Sequence, residues 1–222
     1  MKNGSTVLER PEMGLHSLDL NEQANDGPLI EEPYRMRFKV EGTAPILFHR
    51  FDCEEMAPPS TTGGGTKGGV KKKTDNVESY YYRDDKGFVC VPAEGVHGAL
   101  ISAGRWFQDP RSSRKTAMDL VKAGVIVEPN RIQCLRNGKP LKTCEYEDKR
   151  RVQVNRAGIA RVRPALNVGW QAEFEVMVLA SDLIAPRFLR ELMAKAGTFC
   201  GWCDFRPQYG RFQVLHAEVL KL

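Results

Sequence analysis

The sequence predicts an α+β fold: an RRM- or ferredoxin-like antiparallel sheet with helices on one face and a long flexible loop inserted into it. Three observations predict it. Segments of alternating apolar and polar residues open and close the ordered part of the chain, apolar stripes at helical spacing lie between them, and one stretch of about twenty residues has no periodicity.

Residues 1–33 are polar, poor in aromatics and broken by Pro11, Gly14, Gly27, Pro28 and Pro33, which predicts a disordered leader. The folded domain is expected over 34–222. In "YRMRFKVEG", Tyr34, Met36, Phe38 and Val40 alternate with Arg35, Arg37, Lys39 and Glu41, the period of a half-buried strand. "APILFHRFD" either extends that strand or bends away from it. The glycine- and lysine-rich stretch 57–76 is the expected flexible insertion, carrying Lys67, Lys71, Lys72 and Lys73.

"ESYYYRDDKGFVCVP" reads as a hairpin turning at Asp85, Lys86 and Gly87. Pro92 then opens a helix with Val96, Leu100, Ala103 and Phe107 along one face. Gly95 and Gly98 each cost about 1 kcal/mol relative to alanine in a helix, so they predict close approach of another backbone or a ligand. "SSRKTAMDLVKAGVIV" predicts a second helix ending at Gly124 and a strand after it. "WQAEFEVMVL" alternates as a strand through Phe174, Val176 and Val178. "PRFLRELMAKAG" predicts a helix with Pro186 in its first turn, an apolar stripe of Phe188, Leu189, Leu192 and Met193, and Gly197 as its stop. A loop, "GWCDFRPQYG", leads into a final strand over "RFQVLHAEVL".

The charge is uneven. The net value is +5, but the leader holds seven acids against Lys2 and Arg10, leaving about +10 on the folded part. A basic body predicts a polyanionic partner, against the plainer reading of ordinary surface charge. No run of 18 apolar residues is present and the first residues lack the apolar centre of a signal peptide, so a cytoplasmic location without membrane contact is expected. Cys53, Cys90, Cys134 and Cys144 read as small buried hydrophobes. Cys200 and Cys203 have CxxC spacing but no second pair, and no metal or cofactor is expected.

The densest chemical signal is "KRRVQVNRAGIARVR", which holds Lys149, Arg150, Arg151, Arg156, Arg161 and Arg163 without an acid among them. Such a run calls for an anion nearby, and phosphate suits the guanidinium fork, although a solvated face has the same composition. Tyr80, Tyr81, Tyr82, Trp106, Trp170, Trp202 and Tyr209 are available to stack bases. Enzyme patterns are weak: His16, His49, His97 and His216 are scattered, Asp52 and His49 are the candidates for metal-assisted cleavage, and Asp204 beside Arg206 reads as a structural salt bridge.

Three segments together resemble the RAMP superfamily, RRM-like proteins that form the repeated backbone subunits and related parts of CRISPR effector complexes. "DDKGFVCVPAEGVHGALISAGR" (84–105) is similar to the family's turn, strand and I-P-G-S-S-L-K-G-x-L-R helix start, with Val91, Pro92, Gly98, Leu100 and Arg105 in matching places. "DKRRVQVNRAGIARVRPALNVGWQAEFEVMV" (148–178) is similar to a V-x-I-D-R segment leading into an F-x-F-E strand, with Asn155 in place of the aspartate before Arg156. "YGRFQV" resembles the G-Y-G-R lead-in to the last strand. Glu94 stands where relatives carry serine, and would repel a phosphate there.

The resemblance implies a non-catalytic subunit that binds RNA, such as a guide, or single-stranded DNA, and polymerises along it as a homo-oligomer, filament or part of an effector complex. Arg50, Lys71, Lys72, Lys73, His97, Arg105, Trp106, Lys149, Arg150, Arg151, Asn155, Arg156, Arg161, Arg163, Arg206, Tyr209 and Arg211 are the expected contacts. Within the resemblance, Arg206 and Arg211 hold phosphates against the glycine loop. Two other readings stand beside it: a metal-dependent endoribonuclease using Asp52 or His49, and a protein-interaction module encoded by a virus or mobile element.

Overall fold

The computed structural model describes residues 32–50, 77–154 and 157–220. The acidic leader, the basic insertion with Lys71, Lys72 and Lys73, Asp52, Asn155 and Arg156 lie outside the described residues.

Fourteen strands and three α-helices follow one another among the described residues. β1 is Tyr34–Gly42, β2 Ile46–Leu47, β3 Tyr82–Arg83 and β4 Val89–Pro92, followed by α1 at Ala93–Ala103. β5 (Gln108–Asp109) and β6 (Ser112–Thr116) precede α2 at Met118–Gly124, and then come β7 (Val125–Glu128), β8 (Arg131–Gln133), β9 (Leu135–Arg136) and β10 (Lys139–Pro140). β11 (Tyr146–Val154), β12 (Ala157–Leu166), β13 (Gln171–Val178), α3 (Pro186–Lys195) and β14 (Phe212–Leu220) complete the order.

The main sheet runs β7, β13, β1, β14 across, every pair antiparallel. With α1 crossing from β1 towards β7 and α3 joining β13 to β14, this is the βαββαβ connectivity of a ferredoxin-like domain. The insertions sit at two joints. β2, β3 and β4 interrupt the first crossover, and β8 to β12 interrupt the step from β7 to β13.

Alternation decides which face of the sheet is buried. Tyr34, Met36, Phe38 and Val40 of β1 lie in the core beside Ala172, Phe174, Val176 and Val178 of β13, and Phe38 stacks on its register partner Phe174 at 5.9 Å. The helices cover this face with Val96, Leu100 and Ala103 from α1 and Phe188, Leu189, Leu192 and Met193 from α3. Phe107 meets Phe188 edge-on at 5.0 Å.

The opposite face is a lattice of ion pairs. Arg35 reaches Glu128 and Glu175, Arg37 reaches Glu175 at 3.0 Å and Glu218 at 3.3 Å, and Lys39 reaches Glu173 at 3.0 Å. Cross-strand register makes these pairs: Arg37 stands opposite Glu175 on one side and Glu218 on the other. The hydrogen bond to Glu175, with the nearby charges of Glu175 and Glu218, raises the pKa of Arg37 above the ordinary arginine range.

Two local expectations are corrected and a third is narrowed. Ser112–Thr116 is a strand, because Asp109 turns the chain back by accepting bonds from the backbone and guanidinium of Arg111 at 2.9 and 2.7 Å, leaving the polar residues in solvent. Gly197 does not stop its helix. The chain continues through a π-helical turn, Ala196–Cys200, and a Cβ on Gly197 would lie 2.2 Å from the Phe212 carbonyl oxygen, so close approach to β14 is what requires glycine. Gly95 and Gly98 touch no other backbone; a Cβ at Gly98 would have nothing within 4 Å. After β1 the chain bends away over residues 44–50, and β2 pairs with β12 in a separate sheet. Among the described residues no helix is long and apolar enough to cross a membrane.

Gly98→Ala is expected to raise stability by about 0.5–1 kcal/mol, since it adds helix propensity in open space. Gly197→Ala is expected to cost about 2–4 kcal/mol, because its methyl group meets backbone that cannot yield cheaply. Urea denaturation of the two variants beside the wild type checks both signs.

Candidate nucleic-acid interface

The loop between the π-helical turn and β14 begins by burying Trp202 completely, against Phe212 at 4.3 Å, Trp170 at 5.4 Å and Phe174 at 5.6 Å. It closes on itself through Trp202 N donating to Gly210 O at 3.0 Å, and it is tied to the first crossover by Asp204 N to Leu47 O at 3.0 Å and Gly210 N to Pro45 O at 2.8 Å. Gly201 and Gly210 both have φ of 71°, and a Cβ on Gly210 would stand 2.0 Å from the Trp202 oxygen. The glycines therefore serve the loop's own closure.

Phe205 and Tyr209, left half-buried by that closure, receive two guanidiniums from the β11–β12 hairpin. Arg150 lies 4.8 Å from the centre of each ring, donates to Tyr209 Oη at 2.7 Å and pairs with Asp148, and these hydrogen bonds raise its pKa above the ordinary arginine range. Arg163 lies 4.5 Å from the Phe205 ring centre and pairs with Asp204. Asp204 thus holds Arg163, a residue of another element, and not its neighbour Arg206 as the sequence suggests. The Arg163 side chain is only 7% exposed, and its Nη1 has no hydrogen-bond partner among the described residues.

Two adjoining clefts open over this arrangement and share His49, Cys203, Asp204 and Arg206. The larger, about 800 Å³, is lined by Arg105 and Trp106 following α1, Arg161 and Arg163 of β12, Phe199 of the π-helical turn, and Phe205, Arg206 and Pro207 of the loop. The smaller, about 500 Å³, runs along the start of α1 past Pro92, Glu94, Gly95 and Gly98 to Tyr82 and Arg131, whose guanidinium lies 5.0 Å from the Tyr82 ring centre. Gly95 and Gly98 thus face open space where something can approach the helix backbone. Burial pushes the Cys203 thiol up to about 12, which keeps it out of thiolate chemistry at neutral pH.

Of the expected contacts, the clefts bring together Arg105, Trp106, Arg161, Arg163 and Arg206, and His49, the cleavage candidate, lines both. The other expected contacts among the described residues lie elsewhere. Lys149 pairs with Glu147 at 3.3 Å, Arg150 and Tyr209 hold each other, and Arg151 is exposed on β11. Arg50 is exposed beside the first crossover, and Arg211 donates to the Pro207 carbonyl at 2.6 Å. His97 sits on α1 with a buried Nε2 that has no hydrogen-bond partner among the described residues. The sequence reading missed Arg131 and Phe199; neither lies in a motif, and each reaches the cleft only through the fold.

The cleft carries five guanidiniums, Arg105, Arg131, Arg161, Arg163 and Arg206, against the carboxylates of Asp204 and Glu94. Among the described residues, Arg163 alone of the five is ion-paired. Low-dielectric walls with an excess of one sign concentrate the field, so this surface attracts anions. Tyr80 and Tyr81 are buried, as are Trp170 and Trp202, which leaves Trp106, at 44% exposed, as the tryptophan open to solvent.

No protein-family model matches the sequence, and no curated protein matches it. Among solved structures, the chain is similar to one from a cryo-EM structure of the Type III-B Cmr-beta bound to cognate target RNA, with a TM-score of 0.52 and 12% identity. The similarity covers 86% of this chain and 61% of that one, so the protein spans about three fifths of its neighbour's length. The likeness is one of fold, and it places the protein among α+β domains of the RRM- and ferredoxin-like type.

Arg163→Ala is expected to cost about 2–3 kcal/mol, because it strips a partly buried carboxylate of its partner and removes packing over Phe205. Arg161→Ala, with no ion pair among the described residues, is expected to change stability by less than about 0.5 kcal/mol. Thermal and urea unfolding distinguish them; equal losses would contradict the assignment of Arg163 as a structural wall residue.

Proposed function

We propose that the protein binds single-stranded nucleic acid, RNA foremost, along the arginine-lined cleft, as a non-catalytic subunit that lines up on the strand with further copies or with other subunits of an effector assembly. The observation that carries this reading is the contrast between two surfaces. The cations of the outer sheet face are matched by glutamates, whereas those of the cleft outnumber its carboxylates and leave guanidinium donors free for phosphate.

Two further observations support it. Two of the three segments resembling RAMP proteins line the cleft, through α1 and β12, and the third directly follows the loop that closes it. The neighbour in fold comes from an assembly solved with target RNA bound. Glu94 lies at the smaller cleft and repels phosphate there, which sets the backbone path along the larger cleft.

Titration of a labelled single-stranded oligonucleotide at several salt concentrations tests the proposal. Arg161→Ala and Arg206→Ala are each expected to weaken binding several-fold at low salt and to reduce the slope of log K against log salt by about 0.7, the value for one single-strand phosphate contact. Arg37→Ala, on the neutralised sheet face, is expected to leave both unchanged. Parallel effects of all three substitutions, or no binding by the wild type, would overturn it.

A further inference from the structure

At the mouth of the larger cleft, two rings remain in water that the fold had the means to bury. Trp106 and Phe199 are 44% and 45% exposed, whereas Trp170 and Trp202 are fully buried. Side chains of this size are normally withdrawn from solvent. Here the backbone holds them out. A Cβ on Gly104 would come within 3.0 Å of the Met118 backbone, so the turn bearing Trp106 rests directly on the start of α2. Gly197 does the same for the turn bearing Phe199, against β14.

The two placements converge. The ring centres lie 5.1 Å apart at an interplanar angle of 38°, with the Arg105 guanidinium 5.6 Å from the Trp106 centre and the Lys195 ammonium 5.3 Å from that of Phe199. Both rings line the same cleft as Arg161, Arg206 and the largely buried Arg163. A flat apolar surface flanked by cations matches one ligand chemistry well: a planar heteroaromatic ring attached to phosphates.

We infer that Trp106 and Phe199 form a stacking shelf for one unpaired base of a bound strand, with Arg105 and Lys195 taking the phosphates on either side of it. This rests on the strand-binding reading above. The shelf requires a base free of its pairing partner, so it selects single strands over duplex, and because every base has a flat face it selects little by sequence. Purines, with more surface to stack, bind more tightly than pyrimidines.

Trp106 is itself the reporter, since the other two tryptophans are sealed in the core. Oligo(A) and an abasic phosphodiester strand of equal length are titrated at low salt while tryptophan emission is followed. Oligo(A) is expected to quench Trp106; the abasic strand is expected to bind more weakly and without quenching. Trp106→Ala and Phe199→Ala each weaken oligo(A) binding by about tenfold and leave the abasic strand unaffected, whereas Trp106→Phe retains most of the affinity. Both rings are solvent-exposed, so these variants are expected to unfold cooperatively like the wild type. Equal effects on the two strands, or oligo(A) binding without quenching, would remove the shelf while leaving strand binding intact. Binding of neither strand would overturn both.

Discussion

The aromatic cluster around Trp202 is the constraint on which the cleft depends. Trp202 enters the core beside Trp170, Phe174 and Phe212, and burial of each such ring contributes about 2–3 kcal/mol. Trp170 is fixed in turn by its Nε1 donating to the Ala44 carbonyl at 2.9 Å, and it packs so closely on β1 that a Cβ at Gly42 would lie 2.1 Å from its ring. With one end of the loop plugged into the sheet and the other closed over it at Gly210, Asp204, Phe205 and Arg206 are held in place without belonging to any helix or strand. The hairpin guanidiniums then dock on Phe205 and Tyr209, and the cleft wall is complete.

Charge is partitioned over the same frame. On the outer sheet face each ion pair is individually weak, but register pairs cation with anion along whole strands, and the face presents little net potential. In the cleft the carboxylates are fewer than the guanidiniums. At about 0.1 M salt the screening length is near 10 Å, so the positive field of the cleft acts locally. In RRM domains that stack bases on the sheet, aromatic side chains occupy that face; here charged residues fill it, and Trp106 and Phe199 are exposed on the turns that follow the helices.

Periodicity made the frame legible. β1, β13, α1 and α3 follow from apolar spacing, because each buries one continuous face and a one-residue slip would expose it. β6 was missed because a five-residue polar strand held by one turn carries no such pattern. The fate of the basic run was hidden for a different reason. Lys149 and Arg150 find acids two residues upstream, which sequence can hint at, but Arg163 finds Asp204 across more than forty residues of chain. Arg105, Trp106 and Arg206 were within reach through motif resemblance. Phe199 was not, since its exposure comes from Gly197 resting on β14.

The most direct test of strand binding in the cleft is photocrosslinking of a 4-thiouridine-substituted RNA to the full chain, followed by mass-spectrometric mapping of the linked peptides. The account predicts crosslinks in residues 97–107 and 196–211 and none in 35–41 or 171–177. Crosslinks concentrated on the outer face of the β1–β13 sheet would contradict it.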